Sequence, residues 1–163
     1  MRYLVLVYAV VFSLLTSVTT VAQQKGAMEV SKELADLLFF ALDHGVNSIR
    51  EGGVLVPFVV SDTGGKRKLD RFVSDPYEHA LSDAKTAVSK LPSVVSRYAL
   101  AYDGFITVEG KKYDAIIING AEREKGNATL LAQRYLPAVE GGKRLELVGN
   151  PAFIGRESTL FAK

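Results

Sequence analysis

Apolar residues in this 163-residue chain change their spacing at Arg97. Upstream, two segments repeat them at three- and four-residue steps, on either side of one short hairpin pattern. Downstream, they alternate with polar or small residues. The first spacing gathers side chains on one face of a helix, the second on one face of a strand. A chain carrying both must pack helices against a sheet, so its fold class is α+β.

The first helix is expected over residues 29–50, where Val30, Leu34, Leu37, Leu38, Ala41, Leu42, Gly45 and Ile49 form one stripe. Glu51-Gly52-Gly53 ends it, because glycine accepts the left-handed conformation that follows a helix. Residues 54–60 then read as a strand. Pro57 cannot donate to a ladder, which points to an edge strand or a bulge. Asp62-Thr63-Gly64-Gly65 is a turn signal, and residues 66–73 return as the second strand of a hairpin. Asp75 as N-cap, Pro76 at the first helical position and Glu78 at capping-box spacing open the second helix. Its stripe is Tyr77, Ala80, Leu81, Ala84, Val88 and Leu91, and Pro92 stops it.

Four strands follow. Tyr98, Leu100 and Tyr102 alternate with small residues, a bulge is expected at Gly104, and residues 105–108 continue the strand. Glu109-Gly110-Lys111-Lys112 turns into residues 113–119, with Gly110-Lys111 at the tip. Residues 128–136 and a short run, 144–148, complete the set before an irregular tail. The order α-β-β-α-β-β-β-β implies one mostly antiparallel sheet of five to six strands, with helices on one face or both. Over residues 29–136 this element order resembles the profilin-like, PAS-like and roadblock-like folds. That resemblance implies a hairpin, a helical crossover and a three-stranded meander within one sheet, and no specific function.

Ahead of this domain, residues 1–22 combine one cation, Arg2, an apolar run and small residues ending in Thr20-Val21-Ala22. This is the anatomy of a secretory signal cut after Ala22. The competing reading is an uncleaved anchor, since about 20 apolar residues can span a bilayer. Ser13, Thr16, Ser17, Thr19 and Thr20 dilute the second half of the run and favour cleavage. The organisation is then a signal (1–22), a polar leader (23–28), a single domain (29–155) and a tail (156–163). The chain has no cysteine, so disulfide scaffolding, thiol chemistry and a lipid-bearing cysteine are all ruled out. Without Arg2 the charges stand at 19 basic against 18 acidic. That balance argues against a nucleic-acid partner, which calls for a clear basic excess.

No local motif carries chemistry. His79 falls on the polar face of the second helix, and His44 flanks the stripe of the first. With two histidines and no cysteine, neither a metal site nor a cofactor is expected. If Gly110-Lys111 forms the turn, Asp103 and Asp114 share a face but sit about 14 Å apart, too far for a paired-carboxylate mechanism. Gly64-Gly65 is rimmed by Lys66, Arg67, Lys68 and Arg71, which makes a candidate anion contact. The competing reading is a solvated, protected strand edge. Asn127-Ala128-Thr129 fits a glycosylation sequon. Phe40, and to a lesser degree Phe39, lie outside the first helix's stripe. Either the domain wraps that helix on most sides, or they mark a contact for a partner or a second copy.

The functional expectation is an exported domain, periplasmic or secreted, that binds a protein or small ligand without catalysis. An enzyme using Tyr102, Asp103, Arg134 and Tyr135 on one sheet face is the second reading. A membrane-tethered accessory protein, if residues 3–22 stay uncut, is the third.

Overall fold

The computed structural model describes residues 30–138 and 145–162. The signal and leader readings concern residues that lie outside this set. The elements are α1 (Lys32–Ile49), β1 (Phe58–Thr63), β2 (Lys66–Arg71), α2 (Tyr77–Ser89), β3 (Arg97–Val108), β4 (Lys111–Glu122), β5 (Asn127–Leu136) and β6 (Glu146–Ser158). They build an α+β domain in the anticipated order. All six strands are antiparallel neighbours in one sheet, ordered β2-β1-β3-β4-β5-β6.

Ser31 starts α1 by accepting the Leu34 N–H at 3.1 Å, which satisfies one of the orphan donors of the first turn. The α1 stripe buries Leu34, Leu37, Leu38, Ala41, Leu42, Gly45, Val46 and Ile49. It meets Val60, Ala99, Ala101, Ile116 and Ile118, which alternate onto one face of β1, β3 and β4. Helix α2 covers the other face. Ala84 and Val88 pack with Val59, Tyr98, Leu100 and Val95 there. Alanine and glycine at these contacts let helix and sheet approach closely: a Cβ on Gly120 would sit 2.5 Å from Leu38 Cδ2 and 2.9 Å from the Tyr98 carbonyl.

Four local expectations are corrected. Helix α2 begins one residue later than its capping signal suggests. Pro76, which has no side-chain acceptor, takes the N-cap position, and Asp75 is left outside the first turn. Gly104 is not a bulge, because the β3–β4 register runs unbroken through Gly104↔Ala115. Ile117 Cδ1 would lie 2.8 Å from a Cβ at Gly104, so glycine serves close side-chain packing there. The β3–β4 turn is Glu109-Gly110, one residue earlier than expected, with φ of 51° and 77°. Positive φ at both central residues matches the twist of a two-residue hairpin, and Gly110 supplies one of them without strain. Finally, β6 runs through Ser158, and Phe161 beyond it is buried. The short run 144–148 and the irregular tail are therefore mostly one strand. Its alternation is masked by bulges at Leu130/Leu131 and Ala132/Arg134 of the pairing.

Phe161 closes the α2-side core by meeting Tyr98 edge-on at 4.9 Å. Arg123 lies 4.0 Å over the Phe161 ring and donates to the carbonyls of Val95, Leu91 and Pro92. One guanidinium thus ties the α2–β3 connection to the chain's last residues.

Candidate functional site

Three polar or partly open regions follow from this packing. The first is midway along β3. Tyr135 on β5 donates to Asp103 Oδ1 at 2.8 Å, and the Tyr77 hydroxyl on α2 accepts the Asp103 N–H at 2.7 Å. Burial raises the Asp103 carboxyl above its ordinary range. The Tyr135 hydrogen bond opposes that rise, and the nearby Asp114 charge adds to it. Tyr77 is pushed up to about 12, chiefly by burial, so both phenols stay protonated at neutral pH.

The corrected turn changes the carboxylate geometry. Phe105, not Thr107, faces Asp114, so Asp103 is its diagonal neighbour, two residues along. Diagonal cross-strand neighbours lie about 7–8 Å apart. The two carboxylates are thus about half as far apart as a turn at Gly110-Lys111 implies.

The four residues expected to converge do not. Asp103 pairs with Ile116 and Tyr135 with Asp114, on the α1 side of the sheet. Tyr102 packs with Ile117, and Arg134 is registered with Ala115, on the opposite side. Arg134 lies 5.1 Å over the Tyr113 ring there. The sheet's alternation splits the set into two pairs. Replacing Tyr135 with phenylalanine is expected to cost about 1.5–3 kcal/mol, the net value of a hydrogen bond to a charged group. It should also drive the Asp103 carboxyl further up. A ¹³C carboxyl titration with a denaturant curve checks both effects, and an unmoved Asp103 titration would contradict the assigned contact.

The second region is an ionic cluster beneath the start of β3. Arg97 donates to Asp62 Oδ2 at 3.0 Å and to Glu122 Oε1 at 3.3 Å. Ser31 donates to the same Glu122 oxygen at 2.9 Å. Asp62 is itself buried and also accepts the Gly65 N–H, at 2.7 Å, fixing the β1–β2 turn. A cleft of about 320 Å³ opens beside this cluster, bounded by Ser93, Ser96, Arg123 and Lys125. Because Arg97 is engaged on both sides, the cluster ties β1, β3, β4 and the α1 cap together.

The third is a groove of about 340 Å³ between the second half of α1 and the start of β6. Leu42, Val46, Leu147 and Pro151 give it apolar walls, and Asp43, Asn47, Arg50 and Asn150 give it a polar rim. Gln133, also lining it, is almost fully buried, its amide donating to the carbonyls of Arg134 at 2.8 Å and Gly149 at 3.2 Å. That side chain satisfies the backbone groups freed by the bulge and holds β6 in place. Phe39 and Leu147 are about half exposed, at 50% and 45%. Phe39 lies one turn before Leu42 and Asp43. Phe153, also 45% exposed, is placed on the same side of the sheet by its register with Leu131.

The basic residues of the hairpin do not act as one set. Strand alternation sends Arg67 and Arg71 toward α1 and Lys66 and Lys68 away from it. Arg67 lies 4.7 Å over the Phe40 ring, Arg71 donates to His44 Nε2 at 3.0 Å, and Lys68 pairs with Asp70 at 2.9 Å. Phe40 is 41% exposed. The domain therefore does not wrap α1, and one guanidinium covers part of that ring. His79 is exposed, and its neighbour Asp83 accepts from Ser74 instead.

His44 stacks edge-on against Phe58 at 4.9 Å. Burial, then the Arg71 charge, hold its imidazole below the ordinary value. The folded state thus favours neutral His44, so its contribution is complete above the unfolded value near 6.5 and fades as pH falls through it. Tm should decline between about pH 7.5 and pH 5.5, and His44→Gln should flatten that decline. An unchanged slope in the variant would assign the pH dependence elsewhere.

Among the described residues, no helix is long and apolar enough to cross a membrane, and no three acidic or histidine side chains cluster as metal ligands. No known protein family, curated protein or solved structure matches this chain.

Proposed function

We propose that this chain is exported and acts as a non-catalytic binding domain, with the groove between α1 and β6 as its contact for a protein segment or small ligand. The observation that carries this reading is a contrast in packing. Helix α1, helix α2 and Phe161 cover the central part of the sheet's two faces with their own side chains, whereas the groove stays open beside half-exposed Phe39, Leu147 and Phe153. The division of Asp103 and Tyr135 from Tyr102 and Arg134 supports binding over catalysis, because a reacting group needs its partners on one side. Residues 1–22 support export by their composition.

A photo-crosslinking residue at Leu147, in the full chain expressed in its own host, tests the reading. The expected result is a discrete adduct from Leu147 and none from a control position, Glu78, on the opposite side of the sheet. The mass of the adduct separates a protein partner from a small ligand. Equal labelling at both positions, or none at either, overturns the groove as the contact. Recovery outside the cytoplasm with a new N-terminus at Gln23 supports export. An intact N-terminus in the membrane fraction replaces it with a tethered protein.

A further inference from the structure

We infer that the surface formed by α1 and β2 is a self-complementary contact between two copies of this chain. The outward face of α1 carries exposed Glu33, Asp36, Phe40 and Asp43. Beside it, β2 presents exposed Arg67 and Arg71 on the α1 side. One patch is acidic around an aromatic ring, and its neighbour is basic. The two are joined at a seam where Arg67 covers Phe40 and Arg71 meets His44.

Such adjacency has a geometric consequence. A two-fold axis running along the seam lays α1 of one copy over β2 of the other. An isologous interface brings every contact twice, so acid meets base on both sides of the axis. The charges are placed to allow it. Arg67 rests on a ring rather than on a carboxylate, which leaves its outer edge open to an acid from the partner copy. Arg71 donates to a neutral imidazole and is likewise without an acid in its own chain's contacts with α1. On α1, Asp36 is held by Lys32 at 2.6 Å, whereas Asp43 lies one turn from Phe40 toward the seam's C-terminal end. Phe40 supplies the apolar centre, the role aromatic anchors take in protein contacts.

The size of the patch sets the strength. Eighteen helical residues span roughly 27 Å, and a contact one helix and one strand wide buries on the order of 1,000 Å² in total. Interfaces of that size are weak, and one made largely of surface charge pairs is screened by salt. The second copy is thus a concentration-dependent partner. The α1–β6 groove lies on the other flank of α1 and shares only Asp43, on its rim, with this contact, which does not require the groove to be a binding site.

Sedimentation equilibrium of the protein as recovered from its own host, over a concentration series, tests it. At about 0.05 M salt a monomer–dimer equilibrium is expected, weakened at least tenfold at about 0.5 M. Arg71→Glu and Asp43→Arg, both at exposed positions, should each weaken dimerisation by about tenfold or more. The double variant, Arg71→Glu with Asp43→Arg, restores acid–base pairing across the axis and should regain most of the loss. Circular dichroism melts establish that each variant is folded. A chain that stays monomeric at low salt overturns the inference. So does a dimer indifferent to both single variants, or a double variant weaker than either.

Discussion

Replacing Arg97 with alanine is expected to destabilise the domain by about 3–5 kcal/mol, the cost of removing one partner from a buried ion pair. The guanidinium is only 19% exposed and stands between two carboxylates that are less so, Asp62 at 6% and Glu122 at 17%. Both have been taken out of water on the condition that Arg97 faces them. Alanine leaves Asp62 and Glu122 close together with no cation between them, and Lys125, 3.6 Å from Glu122 on the solvent side, reaches only one. The damage is also geometric. Ser31 donates to Glu122 while capping α1, and Asp62 holds the β1–β2 turn through Gly65. Loosening either carboxylate therefore disturbs a helix start or a hairpin as well. Arg97→Lys separates charge from geometry. A single ammonium keeps the charge but cannot make two forked contacts, so about half the loss should remain. Urea denaturation of the three proteins measures this. A loss below about 1 kcal/mol for alanine would place the cluster with ordinary surface pairs.

Sequence patterns carried the architecture because period is a local property. The stripe from Leu34 to Ile49 and the alternation at Tyr98, Leu100 and Tyr102 each identify an element without help from the rest of the chain. Register is not local in that sense. The hairpin between β3 and β4 could turn at Glu109-Gly110 or at Gly110-Lys111, and the choice moves every cross-strand pair along β3. That single residue separates a 14 Å carboxylate spacing from diagonal neighbours. β6 was obscured for a related reason: two bulges and Pro151 break its alternation, and the device that keeps it paired, the Gln133 amide, is on a different strand. Of the candidate site residues, Phe39 and Phe40 were legible as exceptions to a helical stripe. The groove that Phe39 borders was not, because its other wall is contributed by a strand about a hundred residues away.

The seating of α1 on the sheet yields the other large effect, and it is a coupled one. Ile116 is fully buried beneath the second half of the helix, where Gly45 passes over it; a Cβ at residue 45 would lie 3.2 Å from Ile116 Cγ2. Ile116→Ala removes that methyl and the rest of the side chain from a filled interior, at an expected cost of about 3–4 kcal/mol for lost burial and the hollow left behind. Gly45→Ala alone brings two opposing effects. Alanine improves helix propensity by about 1 kcal/mol. The branched Ile116 side chain has little freedom to retreat from a contact that close, and overpacking offsets the gain. In Ile116→Ala the obstruction is gone, and the same alanine at 45 both favours the helix and refills part of the hollow. The double variant should therefore be about 1–2 kcal/mol more stable than Ile116→Ala alone, whereas Gly45→Ala in the parent should change stability by less than about 1 kcal/mol. A double-mutant cycle by chemical denaturation measures the coupling directly. Strict additivity would mean that α1 shifts to relieve the contact, in which case the close helix–sheet approach at Gly45 does not fix the position of the helix.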